Sequence, residues 1–198
     1  MVNKVPVAVL ASGNGSNLQA LMDFSKREHS HFFVAVVVAN RKNAYALSRA
    51  KLAHIPNFLV DHRQFLHRPD FERAVLDILK EHGAKIVVLA GFMRVLSPLF
   101  LAQFSKRILN IHPSILPKYP GLGAIEQALL ASDRLVGCTV HHVSQDVDLG
   151  DILAQSTCEI EPGEPFEHIK NRIHALEHEL LPRVTNEYCK LWLQAGLD

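Results

Sequence analysis

The run Asn110-Ile111-His112-Pro113-Ser114-Ile115-Leu116-Pro117-Lys118-Tyr119-Pro120-Gly121 holds the residue types best suited to chemistry in this chain. It follows Arg107-Ile108-Leu109, an apolar stretch that reads as a short buried strand. Side chains alternate along a strand, so Asn110 and His112 project from one face while Ile111 turns into the core. Pro113 has no N–H to donate and ends the ladder. An amide donor beside an imidazole at the carboxyl end of a strand suits acyl or formyl transfer: the amide holds a developing oxyanion and the imidazole moves a proton. Three prolines stiffen the loop that follows.

A second candidate is Ser12-Gly13-Asn14-Gly15-Ser16-Asn17, which leads from a first strand into a first helix. Glycines let backbone approach a ligand, and free N–H groups at a helix start favour an anion. Ser16 and Asn17 also read as helix caps. A dinucleotide fingerprint needs glycine where Leu18 stands, and Asn40-Arg41-Lys42-Asn43 offers no acidic residue for a ribose hydroxyl. A phosphate monoester or phosphoribosyl group fits better than a nicotinamide dinucleotide. A third candidate is Ser144-Gln145-Asp146-Val147-Asp148-Leu149-Gly150-Asp151, whose aspartates are ordinary turn residues unless one reaches His112. Such an aspartate would favour the charged imidazole and poise it to protonate a leaving nitrogen. Spacing alone leaves Asp146 and Asp148 equivalent.

His174-Ala175-Leu176-Glu177-His178 matches a zinc-hydrolase pattern, but catalytic zinc needs a third protein ligand, and this helix is already committed to packing. Glu177 is better used as a carboxylate for an amine substrate, and no metal is expected. His141 and His142 point to opposite faces of a strand and form no metal pair. Cys138, Cys158 and Cys189 lack any CxxC and read as reduced thiols of a cytoplasmic protein.

The elements that must position these groups follow from hydrophobic patterning. Continuous apolar runs at Val5–Ala11, Phe32–Ala39, 57–60 and 85–90 alternate with helical segments from about Leu18, at 44–53 and at 71–82. That rhythm predicts strands covered on both faces, a parallel sheet with crossover helices. After Asn110 it changes: 137–143 and Ile152–Glu159 leave no room for a crossover helix and are expected to pair antiparallel. A final helix spans 166–192, with Phe166, Ile169, Ile173, Leu176, Leu180 and Val184 near one face and Pro182 as a kink point. At 198 residues, with 48% apolar content and a formal net charge of +1, the chain suits one α/β domain over 1–198. Nothing basic enough to favour nucleic acid is present, and the apolar runs fall far short of the about 20 residues of a membrane span.

Four motifs in order, Ser12-Gly13-Asn14-Gly15-Ser16-Asn17-Leu18-Gln19, Ala90-Gly91-Phe92-Met93-Arg94-Val95-Leu96-Ser97, the proline loop from Asn110 to Gly121, and the segment from Val140 to Gly150, resemble the folate-dependent phosphoribosylglycinamide formyltransferases of purine synthesis. The resemblance runs from about residue 7 to 188 and implies a Rossmann-like formyltransferase fold. It implies formyl transfer from 10-formyltetrahydrofolate, as co-substrate, to the amine of 5-phosphoribosylglycinamide. By the same resemblance Asn110, His112 and Asp148 form the catalytic trio. Gly15, Ser16, Asn17 and Leu18 hold the substrate phosphate, and Glu177 meets the glycinamide end. Met93, Arg94, Val95 and Leu96 line the pterin pocket through backbone atoms. Arg68, Asn110, Ser144, Gln145, Asp146, Val147 and Asp148 complete the folate site. No metal, nucleic acid or membrane partner is implied; the protein is expected as a monomer or homodimer. Ile125, His142 and Leu149 depart from the family's usual histidine, phenylalanine and small residue.

Related enzymes are expected to differ elsewhere. Formyltetrahydrofolate hydrolase carries an N-terminal regulatory domain, and methionyl-tRNA formyltransferase has a C-terminal RNA-binding domain and a different first loop. A non-catalytic nucleotide-binding module would explain the glycine loop but leave Asn110, His112 and Asp148 without a task.

Overall fold

A computed structural model describes residues 4–196. In chain order its elements are β1 (Val5–Ala11), α1 (Ser16–Ser25), β2 (Phe32–Ala39), α2 (Tyr45–Leu52), β3 (Asn57–Leu59), a 3-10 turn (His62–Gln64), α3 (Arg68–Glu81), β4 (Ile86–Leu89), α4 (Pro98–Gln103), β5 (Ile108–His112), α5 (Ala124–Leu130), β6 (Leu135–His142), β7 (Ile152–Glu159) and α6 (Phe166–Gln194). The strands form one seven-stranded sheet in the order β3-β2-β1-β4-β5-β6-β7. Pairings from β3 through β5 are parallel, and β6 pairs antiparallel with both β5 and β7. The mostly parallel α/β sheet with a C-terminal antiparallel pair is the architecture that the patterning predicts.

Alternation along the strands divides the interior into two layers. Val5, Val7, Val9 and Ala11 of β1 pack with Leu18, Leu21 and Met22 of α1 and with Ile169, Ile173, Leu180 and Leu181 of α6. Ala8 and Leu10 face the other way, with Val36, Val38, Val87 and Leu89, onto Phe71, Val75 and Leu79 of α3 and Phe100 beyond it. Each fully buried Leu or Ile in these layers contributes about 1.5–3 kcal/mol of burial free energy. The long α6 continues through Pro182, which is buried on it.

Element ends differ from expectation where capping decides them. α3 begins at Arg68 because Pro69 lies in its first turn, where a missing N–H breaks no bond and φ is already helical. α1 begins at Ser16, and its cap is Gly15 rather than a side chain. α4 and α5 are short helices without an expected counterpart. The first is started by Ser97, whose hydroxyl accepts the Phe100 N–H at 3.2 Å, with Pro98 following.

The chain runs outward from β1 to β2 and β3, then returns to the opposite side of β1 as β4. The strand order therefore reverses between β1 and β4, and the loops leaving their carboxyl ends diverge there. Ligands of open α/β sheets bind at such a crevice.

Candidate active site

β5 brings two polar side chains to this rim. Leu109 and Ile111 belong to the layer under α6, and Ile108 to the layer under α3. Asn110 and His112 share the side of Ile108, beyond the point where that layer ends. Asn110 lies beside Leu89 of β4 on one flank and opposite His141 of β6 on the other.

Asp148 joins this pair from the β6–β7 turn. Its Oδ2 lies 3.2 Å from His112 Nδ1 and accepts the Gly121 backbone N–H at 2.8 Å. Its Oδ1 accepts from Asn110 Nδ2 at 3.3 Å and lies 3.4 Å from His141 Nε2. One carboxylate thus stitches the acidic turn to the proline loop and to both strands. The His112 ring is buried, and its Nε2 donates to the Tyr119 carbonyl at 2.8 Å. Both His112 nitrogens face acceptors, Nδ1 the Asp148 carboxylate and Nε2 the Tyr119 carbonyl. Asp146, the alternative by spacing, is exposed and lies outside these contacts; its carbonyl accepts from the Ser144 hydroxyl at 2.9 Å.

Burial pushes the Asp148 carboxyl up, but the His141 contact, the Gly121 N–H and the charges of His112 and His141 outweigh it, so its pKa lies below the usual aspartate value. The turn is tight. Asp148 itself has φ 56°, and any Cβ at Gly150 would run into the His142 carbonyl. Leu149, between them, is exposed.

A cleft of about 510 Å³ opens over these groups, walled by residues 91–96, 110–113, 121–124 and 144–148, with Arg41 also on its lining. Met93, Arg94, Val95, Leu96, Ser144, Gln145, Asp146 and Val147 all line it. Arg68 does not: its guanidinium bonds Glu72 at 3.0 Å and the Val95 carbonyl at 2.5 Å, behind the wall.

The glycine loop lies next to the cleft rather than on its lining. Gly15 has φ 77°, and a Cβ there would sit 2.8 Å from Ala46, so only glycine fits. The N–H groups of Ser16, Asn17 and Leu18 head α1, with no acidic residue in that turn, while the Leu18 side chain is buried in the core. Asn17 Nδ2 donates to Glu177 Oε2 at 2.9 Å, and Asn17 Oδ1 is buried without a partner. Burial raises Glu177 to about 7, partly opposed by the Asn17 bond. Ser12 connects the two regions: its N–H donates to the Gly91 carbonyl at 3.1 Å, its hydroxyl donates to Asn40 Oδ1 at 2.7 Å, and it accepts the Met93 N–H at 2.8 Å.

Other motifs are occupied structurally. His174 and His178 stack with centroids 6.5 Å apart, while Glu177 between them turns to Asn17. Among the described residues no group of three or more His, Cys, Asp or Glu is arranged to hold a metal ion. Burial pushes Cys138 up to about 12 and raises Cys158 and Cys189 as well, which disfavours the nucleophilic thiolate. Ile125 packs into the core from the first turn of α5, and the His142 ring meets the Tyr188 ring edge-on at 5.3 Å.

Residues 5–185 match the family model described as formyl transferase. The chain belongs to the formyl transferase family. Among other members, it is 38% identical over 180 residues to a phosphoribosylglycinamide formyltransferase of Bacillus subtilis (strain 168), covering 91% of this chain and 92% of that one. It is 40% identical over 179 residues to the trifunctional purine biosynthetic protein adenosine-3 of Homo sapiens, covering 90% of this chain but 18% of that protein's length; the bovine counterpart is likewise spanned over 18%. The fold superimposes on the crystal structure of glycinamide ribonucleotide transformylase 1 from Symbiobacterium toebii with a TM-score of 0.92 at 38% identity, covering 94% and 88% of the two chains. For phosphoribosylglycinamide formyltransferase from Bacillus halodurans the TM-score is 0.89 at 37% identity, with 96% of each chain covered.

Three features of this candidate site are not marked by residue type and spacing alone. Strand alternation says which face His141 takes but not which residue stands opposite. Tyr119 and Gly121 contribute a carbonyl and an N–H, which side-chain type cannot reveal. Arg41 carries a signal in its place, two residues past the end of β2.

Proposed function

We propose that this protein transfers the formyl group of 10-formyltetrahydrofolate to the amine of 5-phosphoribosylglycinamide, a step of purine synthesis, and that residues 1–198 act as one formyltransferase domain in the cytoplasm. The observation that carries the reading is the meeting of His112 Nδ1 with Asp148 Oδ2 at 3.2 Å, beside Asn110, on the floor of the cleft. The family match and the names of its relatives support the substrates.

In this reading the cleft takes the folate. Its pterin lies against the backbone of Met93, Arg94, Val95 and Leu96 and against the turn from Ser144 to Asp148, with Arg68 bracing the Val95 carbonyl from behind. The phosphate of the acceptor sits on the N–H groups of Gly15, Ser16, Asn17 and Leu18, where a helix start offers partial positive charge. Glu177 and the free Asn17 Oδ1 receive the glycinamide end.

The acceptor's amine nitrogen attacks the formyl carbon, forming a new C–N bond and an oxyanion. Asn110 Nδ2 and protonated His112 stabilise that oxyanion; a single preorganised donor of this kind is worth about 10²–10³-fold. His112 gives its proton to the folate nitrogen as the old C–N bond breaks, and the proton that the attacking nitrogen loses returns to His112. Asp148 holds the imidazole in place; general acid–base help is worth about 10²–10⁴-fold. Holding the two substrates side by side supplies much of the remaining rate.

The experiment is formyl loss from 10-formyltetrahydrofolate followed with and without phosphoribosylglycinamide. Acceptor-dependent turnover with formylated product is expected; equal turnover without acceptor would indicate a hydrolase instead. Glycinamide riboside should bind far more weakly than its 5′-phosphate, and equal binding would remove the phosphate assignment.

A further inference from the structure

Glu72 is 1% exposed, on the second turn of α3, and does not line the cleft. Its Oε1 accepts from Arg68 Nε at 3.0 Å and from the Ser97 N–H at 2.9 Å, and its Oε2 accepts the Ser97 hydroxyl in a short bond. Arg68 in turn donates from Nη2 to the Val95 carbonyl at 2.5 Å. A buried carboxylate is stable only when donors surround it, and here every donor belongs to one clip around residues 95–97. Ser97 also caps α4, so the clip fixes where the wall of the cleft ends and the helix begins.

The other end of the same wall is held by Ser12, which bonds the Gly91 carbonyl and the Met93 N–H. Between these two anchors Met93 and Val95 are half exposed to the cleft. A loop that recognises a heterocycle through backbone groups must present them in fixed directions before the ligand arrives. Holding the Val95 carbonyl toward Arg68 sets its peptide plane, and with it the opposite direction of the Leu96 N–H.

We infer that Glu72 is a positioning residue for the formyl donor: through Ser97 and Arg68 it fixes the backbone of residues 93–96 in the shape that the folate meets. The inference rests on reading the cleft as the folate site. Glu72 touches neither substrate, so its loss changes recognition of the donor and leaves the acceptor's loop and the Asn110–His112–Asp148 network as they are.

The test compares the whole protein with Glu72→Gln and Ser97→Ala. Glu72→Gln keeps the side-chain shape but removes the charge and turns an amide toward donors. Its KM for 10-formyltetrahydrofolate should rise about ten-fold, with kcat and the acceptor KM changed less than about two-fold. Ser97→Ala, which loses only the hydroxyl bond, should shift the same constant by about three-fold. A folded Glu72→Gln variant with an unchanged donor KM, or with both KM values raised equally, overturns the inference. Should Glu72→Gln fail to fold, an unchanged donor KM in Ser97→Ala overturns it alone. Amide hydrogen exchange on the ligand-free protein reads the clip without any substrate. Faster exchange at residues 96–97 in Glu72→Gln is expected, and unchanged exchange contradicts the positioning role. Wild-type protein without formyl transfer would instead refute the proposed function, while the exchange measurement still decides the loop.

Discussion

Asn110 and His141 stand directly opposite each other in the antiparallel pairing of β5 and β6, and their side chains meet at 3.1 Å. His141 Nδ1 is occupied by the His142 carbonyl at 2.9 Å, so Nε2 is the atom turned to the site. There it lies between a donor, Asn110 Nδ2, and an acceptor, Asp148 Oδ1. Neutral, it accepts from Asn110; protonated, it donates to Asp148. His141 lies on the cleft lining and touches both Asn110 and Asp148 there.

Replacing His141 by Ala should lower kcat by about ten-fold, the equivalent of one hydrogen bond to a charged group. The contact with His141 is the largest influence holding the Asp148 carboxyl down against burial. Without it the Asp148 pKa rises, and the acid limb of the kcat/KM profile should move to higher pH. A reduced rate with an unmoved acid limb would mean that His141 is merely packed there.

Glu177 offers a prediction on stability. Burial raises its folded-state value to about 7 from the ordinary 4.5, so the folded protein holds this proton more tightly than the unfolded chain does. Stability from this group is complete below pH 4.5 and is lost as pH rises to about 7, by up to about 3 kcal/mol. Urea unfolding at pH 5 and pH 8 should show that loss in the wild type, and Glu177→Gln should flatten it. An identical pH dependence in both proteins would contradict the buried, proton-holding carboxyl.

The glycine loop makes two neighbouring positions diverge. At Gly15 both the positive φ and the 2.8 Å approach of Ala46 oppose a side chain, whereas a Cβ at Gly13 meets nothing within 4 Å. Gly15→Ala should destabilise by about 1–3 kcal/mol. Gly13→Ala should stay within about 0.5 kcal/mol of wild type. Thermal melts of the two variants decide it, and equal melting points would contradict the crowding.

Much of this architecture can be read from local patterning. The runs at β1 and β2 are apolar on both faces because helices cover both sides of the central sheet, and that condition is written residue by residue. The site is legible only in part. Asn110 and His112 share a face by strand alternation, but spacing within a turn does not say which carboxylate points inward, so only the family resemblance distinguishes Asp148 from Asp146. The opposition of Asn110 and His141 depends on register between strands 31 residues apart, which no local window contains. The short helices α4 and α5 lack enough turns to show a periodicity, although Ser97-Pro98 carries a capping signal. Arg68 has its partner in Glu72 one helical turn away, a spacing visible in the sequence, yet its second contact to the Val95 carbonyl is set by the fold alone.

The central claim is that Asp148 sustains formyl transfer by holding the His112 imidazole in place. Steady-state kcat of Asp148→Asn, with circular dichroism on the same sample, tests it most directly. A native spectrum with kcat lowered by about 10²–10⁴-fold is the expected result. A native spectrum with turnover close to wild type would contradict the mechanism.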